Sequence, residues 1–310
     1  LGYGFSRQRN GAMNMHAALC IPAVTGAWLH EGGGAFHNNG AIFHWDRTLI
    51  DGLDVRDPKV RLLDQSRIGA VLEGDVGALH GGPPVTAMLI QNTNPVSVAP
   101  DQNSVKRGFA REDLFVCVHE QFMTETAAYA DIVLPATMFM EHDDVYQGGG
   151  HQHIMLGPKI IEPPGECKSN HDVIAGLAER LGATHRGFEM SPNEIIDWTL
   201  EKSGWGSLEN LAESKWIDCQ PPFNEAHFID GFGHADHKFH FAPGWSENGL
   251  QEHGPQLKAA ILPELPDHWA GIENATEQFP YRLVTAPARH FLNSSFNETP
   301  TSTRREARPT

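Results

Sequence analysis

The stretch LFVCVHEQFMTETAAYADIVLPA, residues 114–136, contains two short apolar runs separated by a polar segment rich in threonine and alanine. The runs at residues 114–118 and 131–134 have the length and composition of buried strands. Between them, Thr124 is placed to cap a short helix that ends near Ala130. The stretch therefore predicts a strand, a helix and a second strand in succession.

A third apolar run lies upstream of this stretch. VTAMLI, residues 85–90, predicts a strand, and the polar loop QNTNP, residues 91–95, follows it. Asp101 is placed to cap a helix that runs to about Phe109. Strands and helices alternating at this spacing predict an α/β fold with a Rossmann-like parallel sheet and helices on both faces. Ligands of such sheets bind beyond the carboxyl ends of the strands. Here those ends are residues 91–95, residues 119–120 and the chain from Pro135 onward.

Other parts of the chain carry weaker signals. Residues 12–30 are apolar at helical spacing, and the glycines at 32–34 end that helix. Residues 203–278 are rich in glycine, proline, histidine and tryptophan, and no element is predicted there. The remaining predicted elements are a helix within 60–72, an extended segment over 152–161, a helix over 171–181 capped by Asn170 and ended by Gly182, a helix from Ser191-Pro192-x-Glu194 to about Lys202, and a strand over 281–285.

Composition excludes several classes of protein. With 23 Lys and Arg against 39 Asp and Glu, the chain has a formal charge of -16, which repels nucleic acid. No apolar run reaches the roughly 18 residues of a membrane-spanning helix. The four cysteines form no C-x-x-C pair, so an iron–sulfur or zinc motif is absent and reduced thiols are expected. We expect a cytoplasmic protein.

Several segments together resemble the molybdopterin oxidoreductase superfamily, also called the dimethyl sulfoxide reductase family, and within it the formate-dehydrogenase-like proteins. The strongest similarity is VHEQFMTETA, residues 118–127, running into ADIVLPA, residues 130–136. Residues 91–95, followed by Asp101-Gln102-Asn103, resemble the nucleotide loop of that family. Further similarities lie at residues 2–7, 25–34 and 162–166, and at Leu283-Val284-Thr285 with Arg289-His290-Phe291.

This resemblance implies a cofactor and a position within a longer enzyme. The implied cofactor consists of two molybdopterin guanine dinucleotides that together hold one molybdenum or tungsten ion. The implied metal ligand and a possible iron–sulfur cluster lie outside these 310 residues, so we expect an internal fragment that is inactive alone. The implied divisions are the end of an α/β domain at 1–60, an α/β dinucleotide-binding domain at 61–150, a connecting and core-return region at 151–278, and the start of a β-rich cofactor-binding domain at 279–310.

The residues expected to bind the cofactor come from the loops that carry the resemblance. Glu120 stands where many relatives have Asp, and either carboxylate can accept hydrogen bonds from a guanine edge. Hydroxyl and amide side chains near helix starts can bind a diphosphate. The predicted cofactor-binding residues are Ser6, Gln91, Asn92, Asn94, Pro95, Glu120, Thr124, Thr126 and His290. No residue is predicted to be catalytic or to bind metal.

Two other functions stay open at this stage. A standalone nucleotide-binding α/β module without redox activity would use the same loops. A metal-dependent hydrolase would use the cluster of His142, Asp143, Asp144, His151 and His153, although hydrogen bonding within the fold explains such residues more simply. The glycine runs at 32–34 and 148–150 fit no phosphate-loop motif, so plain turns are expected.

The resemblance also implies what the parent enzyme does. It is expected to transfer two electrons at the metal, with formate or a similar small molecule as the substrate and an electron-transfer protein as the partner. The fragment is expected to expose apolar surface and to self-associate.

Overall fold

A computed structural model describes residues 2–6, 10–36, 39–245, 262–265, 267, 275–284, 286, 288–297 and 299–305. The chain forms two compact units. One comprises Leu1–Ile42 and Gln220–Ala286, and the other comprises Phe43–Cys219 and Pro287–Thr310. The four-segment division from the sequence stays a prediction.

The described helices are mostly short. The α-helices are α1 (Tyr3–Ser6), α2 (Gly11–Thr25), α3 (Thr48–Asp51), α4 (Ile68–Leu72), α5 (Pro95–Val98), α6 (Gln102–Phe109), α7 (Asn170–Leu181), α8 (Arg186–Glu189), α9 (Pro192–Lys202), α10 (Leu208–Ser214), α11 (Phe223–Ala226) and α12 (Pro300–Arg305). Four 3-10 helices span Ala27–Leu29, Asn39–Phe43, Gln65–Arg67 and Ala127–Tyr129. In the described ranges, no helix has both the length and the apolar character needed to cross a bilayer.

Six strands form two sheets in the described residues. The strands are β1 (Ala87–Gln91), β2 (Phe115–Glu120), β3 (Ile132–Pro135), β4 (Asp144–Tyr146), β5 (His153–Gly157) and β6 (Trp216–Asp218). β1, β2 and β3 are adjacent in that order and all parallel, whereas β4, β5 and β6 form an antiparallel sheet. The predicted α/β class and parallel sheet are confirmed.

One face of the parallel sheet forms a hydrophobic core with nine buried members. Ile90 pairs with Val118 in register, and both are buried. Residues from α4, α6 and the 3-10 helix at Ala127–Tyr129 pack on this face; the buried members of the cluster are Leu72, Ile90, Val96, Val105, Phe109, Leu114, Val116, Val118 and Ala127. The order β1-β2-β3 explains the shared side, because right-handed crossovers that advance in one direction place their helices on the same face.

Helices α4 and α6 approach closely because each contributes a glycine at the contact. A Cβ added to Gly69 would lie 2.5 Å from the Ser104 Oγ and 2.9 Å from the Val105 N. A Cβ added to Gly108 would lie 2.5 Å from the Leu72 Cβ. These two glycines therefore set the spacing of the layer that covers the sheet.

The other face of the sheet is apolar and partly exposed. Leu89, Cys117 and Ile132 are register partners across the three strands on this face. Leu89 is 37% exposed, Ile132 is 45% exposed, and Phe115 on the same face is 48% exposed. In the described residues α4 and α6 pack on the first face, and the start of α7 meets the carboxyl end of the second face, where the Asn170 Oδ1 lies 3.4 Å from the Gln91 Nε2.

Several helix boundaries follow from the caps read in the sequence. Asp101 accepts from the Ser104 N–H at the start of α6, and Ser191 and Glu194 form the capping box of α9, as expected. Gly182 ends α7 in the left-handed region. The cap of α7 was wrong by one residue, because Ser169 and Asp172 form a capping box there and Asn170 is already helical. Within 60–72, the α-helical part is confined to α4.

The antiparallel sheet confirms the extended segment expected within 152–161, since β5 lies there between β4 and β6. Ile154 on β5 is fully buried. The unassigned region does contain regular structure in its first part, namely α10, β6 and α11. The strand expected over 281–285 is not observed over its described part. There Leu283 and Val284 are 83% and 82% exposed, and no neighbouring strand pairs with residues 281–284.

In the first unit, Trp28 is surrounded by aromatic residues. Its ring meets Phe228 and Phe232 edge to face, and its carbonyl oxygen lies 2.8 Å from the His227 Nδ1, which donates to it. Gly34 has a φ of +96°, and a Cβ there would collide with the Trp28 ring. Gly34 therefore has a packing role beside this tryptophan, within the turn expected at residues 32–34.

Candidate functional site

The three parallel strands end at one edge of their sheet. Gln91, the last residue of β1, pairs with His119, and Glu120, the last residue of β2, pairs with Pro135, the last residue of β3. The polar residues predicted from the sequence to follow these strands are therefore brought to a common edge. This carboxyl edge is where an open parallel sheet binds its ligands.

The loop after β1 turns sharply at Asn92. That residue has a φ of +56°, in the left-handed region that asparagine tolerates better than most side chains. Asn92 and Thr93 are exposed, whereas Asn94 and Pro95 are buried. Pro95 is the first residue of α5, where its fixed φ suits the start of a helix and its missing N–H costs no hydrogen bond.

A buried clamp joins the loop after β1 to the loop after β2. The Asn94 Oδ1 accepts from the Thr126 hydroxyl at 2.7 Å and from the Thr126 backbone N–H at 3.1 Å. The Thr126 Oγ1 accepts in turn from the Val96 N–H at 3.1 Å. The Asn94 Nδ2 donates to the Glu125 Oε2 at 2.7 Å. Because Asn94 is 4% exposed and Thr126 is fully buried, these bonds fasten the two loops to each other.

Several predicted cofactor-binding residues also have bonds within the protein. Asn94 and Thr126 use their side-chain oxygens within the clamp, which shapes the two loops, and their contact with the cofactor stays a prediction. Pro95 starts a helix and has no donor to offer. Thr124 is half-buried, and its Oγ1 accepts from the Ala127 N–H at 3.2 Å, whereas the N-cap position of the 3-10 helix belongs to Thr126.

Glu120 is half-buried at the end of β2. Its Oε1 accepts from the Gln121 N–H at 2.7 Å, and its backbone carbonyl accepts from the Ala136 N–H at 3.1 Å. The Gln121 side chain donates to the Thr137 carbonyl at 2.8 Å, which ties this turn to the chain after β3. The backbone under Glu120 is thus held from both sides, while its second carboxylate oxygen remains an acceptor.

Gln91 is held by His119, which the sequence placed at a strand end but not among the predicted cofactor-binding residues. Its Nε2 lies 3.0 Å from the Nδ1 of His119 and 3.4 Å from the Oδ1 of Asn170, at the start of α7. His119 is fully buried, and its Nε2 lies 3.0 Å from the carbonyl oxygen of Lys168. A buried histidine opposite Gln91 depends on the register of two strands, which no local pattern reveals.

Because side chains alternate along a strand, Gln91 and Glu120 lie on opposite faces of the sheet at this edge. Gln91 and its partner His119 project on one face of the sheet, and Glu120, one residue further along β2, projects on the other. Phe122 and Met123 follow Glu120 and are 66% and 74% exposed. The edge therefore offers an amide on one face, a carboxylate on the other, and an exposed apolar pair beside the carboxylate.

Two predicted residues lie apart from these loops in the chain. Ser6 is the last residue of α1 and belongs to the other compact unit; its side chain lies outside the described residues. His290 is in the same unit as the sheet, and its carbonyl oxygen accepts from the Ser302 hydroxyl at 3.1 Å. Cofactor contact by Ser6 and His290 stays a prediction.

The histidines near 142–153 have partners within the fold. The His142 Nδ1 lies 2.8 Å from the Thr137 hydroxyl, and the His151 Nδ1 accepts from the His153 N–H at 3.1 Å. Over the described part of the chain, no three His, Cys, Asp or Glu side chains are grouped as metal ligands. Hydrogen bonds within the fold therefore account for the His142 and His151 rings.

Comparison with known proteins identifies the family. The family model for molybdopterin oxidoreductases matches residues 1–180, which include β1, β2, β3 and both loops of the clamp. The chain belongs to the molybdopterin oxidoreductase family, whose members carry a molybdenum or tungsten pterin cofactor.

Individual relatives cover much of the chain. A probable oxidoreductase, YoaE, of Bacillus subtilis is 34% identical over 96% of the chain and 42% of its own length. Trimethylamine-N-oxide reductase of Haemophilus influenzae is 28% identical over 96% of the chain and 41% of its length. The F420-dependent formate dehydrogenase subunit alpha of Methanocaldococcus jannaschii is 35% identical over 38% of the chain and 17% of its length. The chain thus spans about two fifths of the length of the two relatives that match nearly all of it.

Proposed function

We propose that the carboxyl edge of the parallel sheet holds the guanine dinucleotide end of the pterin cofactor in a molybdenum or tungsten oxidoreductase. The observation that carries the proposal is the clamp between Asn94 and Thr126. It joins the loops after β1 and β2 into one rim at the edge where parallel sheets bind nucleotides. A rim held this way is preorganised, so little entropy is lost when a ligand binds.

The chemistry of the rim fits that group. A guanine presents N–H donors at N1 and N2, and the free carboxylate oxygen of Glu120 is an acceptor of the right kind. A diphosphate needs N–H and O–H donors, which the exposed turn at Asn92 and Thr93 and the hydroxyl of Thr124 offer. When bound, the cofactor supplies the redox chemistry, and the residues of this chain orient it.

The activity of the whole protein is part of the same proposal. We infer a two-electron oxidoreductase with formate as the leading substrate, and an electron-transfer protein as its partner. The similarity to a formate dehydrogenase subunit supports formate, while the similarity to a trimethylamine-N-oxide reductase makes an oxygen-atom acceptor the substrate class to test next. The 310 residues alone are expected to be inactive.

The first experiment is an elemental and cofactor analysis of the full-length protein from a host that makes the pterin. We expect molybdenum or tungsten, the fluorescence of oxidised pterin, and guanosine monophosphate released by acid hydrolysis. If metal and pterin are both missing from protein made in such a host, the proposal fails, and a nucleotide-binding module without redox activity takes its place. If metal and pterin are present without the guanosine nucleotide, the guanine assignment at Glu120 fails by itself.

A matched pair of variants tests Glu120. Glu120→Ala removes the carboxylate, and Glu120→Asp keeps it on a side chain one methylene shorter. Because a hydrogen bond to a charged group contributes roughly 1.5–3 kcal/mol, Glu120→Ala is expected to weaken retention of the guanosine nucleotide by about 10- to 150-fold. Glu120→Asp is expected to retain most of it. Equal retention by Glu120→Ala and the unaltered protein would place the guanine elsewhere.

A further inference from the structure

His119 is a buried polar side chain, and the proposed cofactor contacts do not explain why a histidine lies there. It is fully buried, yet both ring nitrogens have partners: Nε2 lies 3.0 Å from the Lys168 carbonyl oxygen, and Nδ1 lies 3.0 Å from the Gln91 Nε2. The Lys168 carbonyl is itself fixed, because it also accepts from the Thr137 N–H at 3.1 Å while the Lys168 N–H donates to Pro135. The imidazole is therefore anchored to the segment before α7, which is itself bonded to the end of β3 and the chain that follows it.

The anchor determines the proton arrangement on the ring. A carbonyl oxygen can only accept, so the Nε2 of His119 must carry the hydrogen. In the neutral imidazole, Nδ1 is then an acceptor, and the group facing it must be a donor. That donor is the NH2 of Gln91, so the tautomer of His119 and the orientation of the Gln91 amide are set together.

The second hydrogen of the same NH2 is also in use. The Gln91 Nε2 lies 3.4 Å from the Asn170 Oδ1, a longer and weaker contact than the one to His119. The amide thus directs both hydrogens toward the protein. Within the described residues, its Oε1 has no partner, although it belongs to the last residue of β1 at the carboxyl edge.

From this geometry we propose that His119 is a positioning residue that holds the Gln91 amide with Oε1 presented as a hydrogen-bond acceptor for an N–H or O–H donor of the cofactor nucleotide. The inference rests on the proposed function and deepens it, because it adds an acceptor on the face of the sheet opposite Glu120. Without His119, the amide is free to turn over and present NH2 in place of Oε1, which turns an acceptor into a donor.

The test follows cofactor retention in the full-length protein and does not depend on turnover. The variants are His119→Phe, which keeps a ring and removes both hydrogen bonds, Gln91→Leu, and the double variant. Each purified protein is incubated at one temperature, and the guanosine monophosphate that remains bound per chain is measured after acid hydrolysis. Because one neutral hydrogen bond is lost, each single variant is expected to lose the nucleotide about 3- to 10-fold faster.

The double variant separates positioning from a general structural role. If His119 acts through Gln91, the double variant loses nucleotide no faster than Gln91→Leu alone. Effects that multiply, or a His119→Phe protein that retains nucleotide like the unaltered protein, overturn the inference. If His119→Phe does not fold, Gln91→Leu is compared with Gln65→Leu, which replaces an exposed glutamine outside the sheet. Equal nucleotide retention by these two variants overturns the inference.

The proposed function and this inference fail in different ways. Full-length protein without metal and pterin removes both. Loaded protein that loses nucleotide faster after Glu120→Ala, but not after His119→Phe or Gln91→Leu, keeps the proposed function and removes only the role of His119.

Discussion

The two faces of the parallel sheet have similar strand residues but different surroundings. On one face, Ile90 and Val118 are buried under α4 and α6. On the other, Leu89, Phe115 and Ile132 are apolar and remain between 37% and 48% exposed. An apolar strand sequence therefore does not reveal which face of the sheet is covered by helices. The direction of the crossover connections decides that.

The largest expected effect compares two neighbours on β1. Ile90→Ala is expected to lower the free energy of unfolding by about 2–5 kcal/mol, because it leaves a cavity in the covered face. Leu89→Ala, on the partly exposed face, is expected to lower it by less than about 1 kcal/mol. Urea unfolding followed by circular dichroism measures both. Equal losses would mean that the two faces are equally covered in solution.

The next effect concerns the spacing of the covering layer. Gly69→Ala and Gly108→Ala each place a methyl group against the facing helix, so each is expected to lower the free energy of unfolding by about 1–3 kcal/mol.

Gly176 on α7 is the control, because an added Cβ there would meet only the end of the Arg180 side chain at 3.4 Å. Gly176→Ala is expected to raise the free energy of unfolding by up to about 1 kcal/mol, the difference in helix propensity. A loss at Gly176 equal to those at Gly69 and Gly108 would show that helix backbone strain, and not the contact of α4 with α6, is being measured.

A smaller effect on stability, but a visible one on assembly, is expected at the exposed face. The triple variant Leu89→Thr, Phe115→Thr and Ile132→Thr keeps residues that suit strands and removes the apolar surface. Sedimentation velocity should show self-association of the 310-residue chain and its decrease in the triple variant.

Val60→Thr with Val76→Thr changes two exposed valines away from the sheet and serves as its control. If self-association persists in the triple variant and disappears in this control, the surface responsible for it lies outside the sheet.

The three strands and their parallel arrangement were predictable from the sequence, because each buried run is short, apolar and bounded by turn residues, and helical segments separate the runs. The capping box of α9 was predictable for the same local reason, since Ser191 and Glu194 are three residues apart. At α7, Ser169 and Asn170 are both good caps, and only the position of Asp172 favours Ser169. The strand expected at 281–285 shows the limit of such patterns, because a strand also needs a neighbour to pair with.

The candidate site was predictable in its location but not in its division of roles. The polar types at residues 91–95 and 119–126 pointed to the carboxyl edge. Which of these side chains are buried depends on contacts between distant parts of the chain, because Thr126 donates to Asn94, which lies 32 residues earlier in the sequence. His119 likewise has a role only because the register of β1 and β2 sets it opposite Gln91.

The smallest expected effect tests the ion pair that joins the covering helices. The Arg107 guanidinium, and then the Ser104 hydroxyl, donate hydrogen bonds that lower the pKa of the Glu73 carboxyl below its usual range. A carboxyl with a lowered pKa stabilises the folded state above its unfolded pKa, and this contribution is lost as the pH falls through the folded pKa.

Urea unfolding at a series of pH values from neutral to acid tests this ion pair. Glu73→Gln should be less stable than the unaltered protein at neutral pH, and the difference should shrink on acidification. Arg107→Gln should reduce the same pH dependence. A gap between Glu73→Gln and the unaltered protein that stays constant with pH would mean that Glu73 supports the contact of α4 with α6 by packing and hydrogen bonding alone.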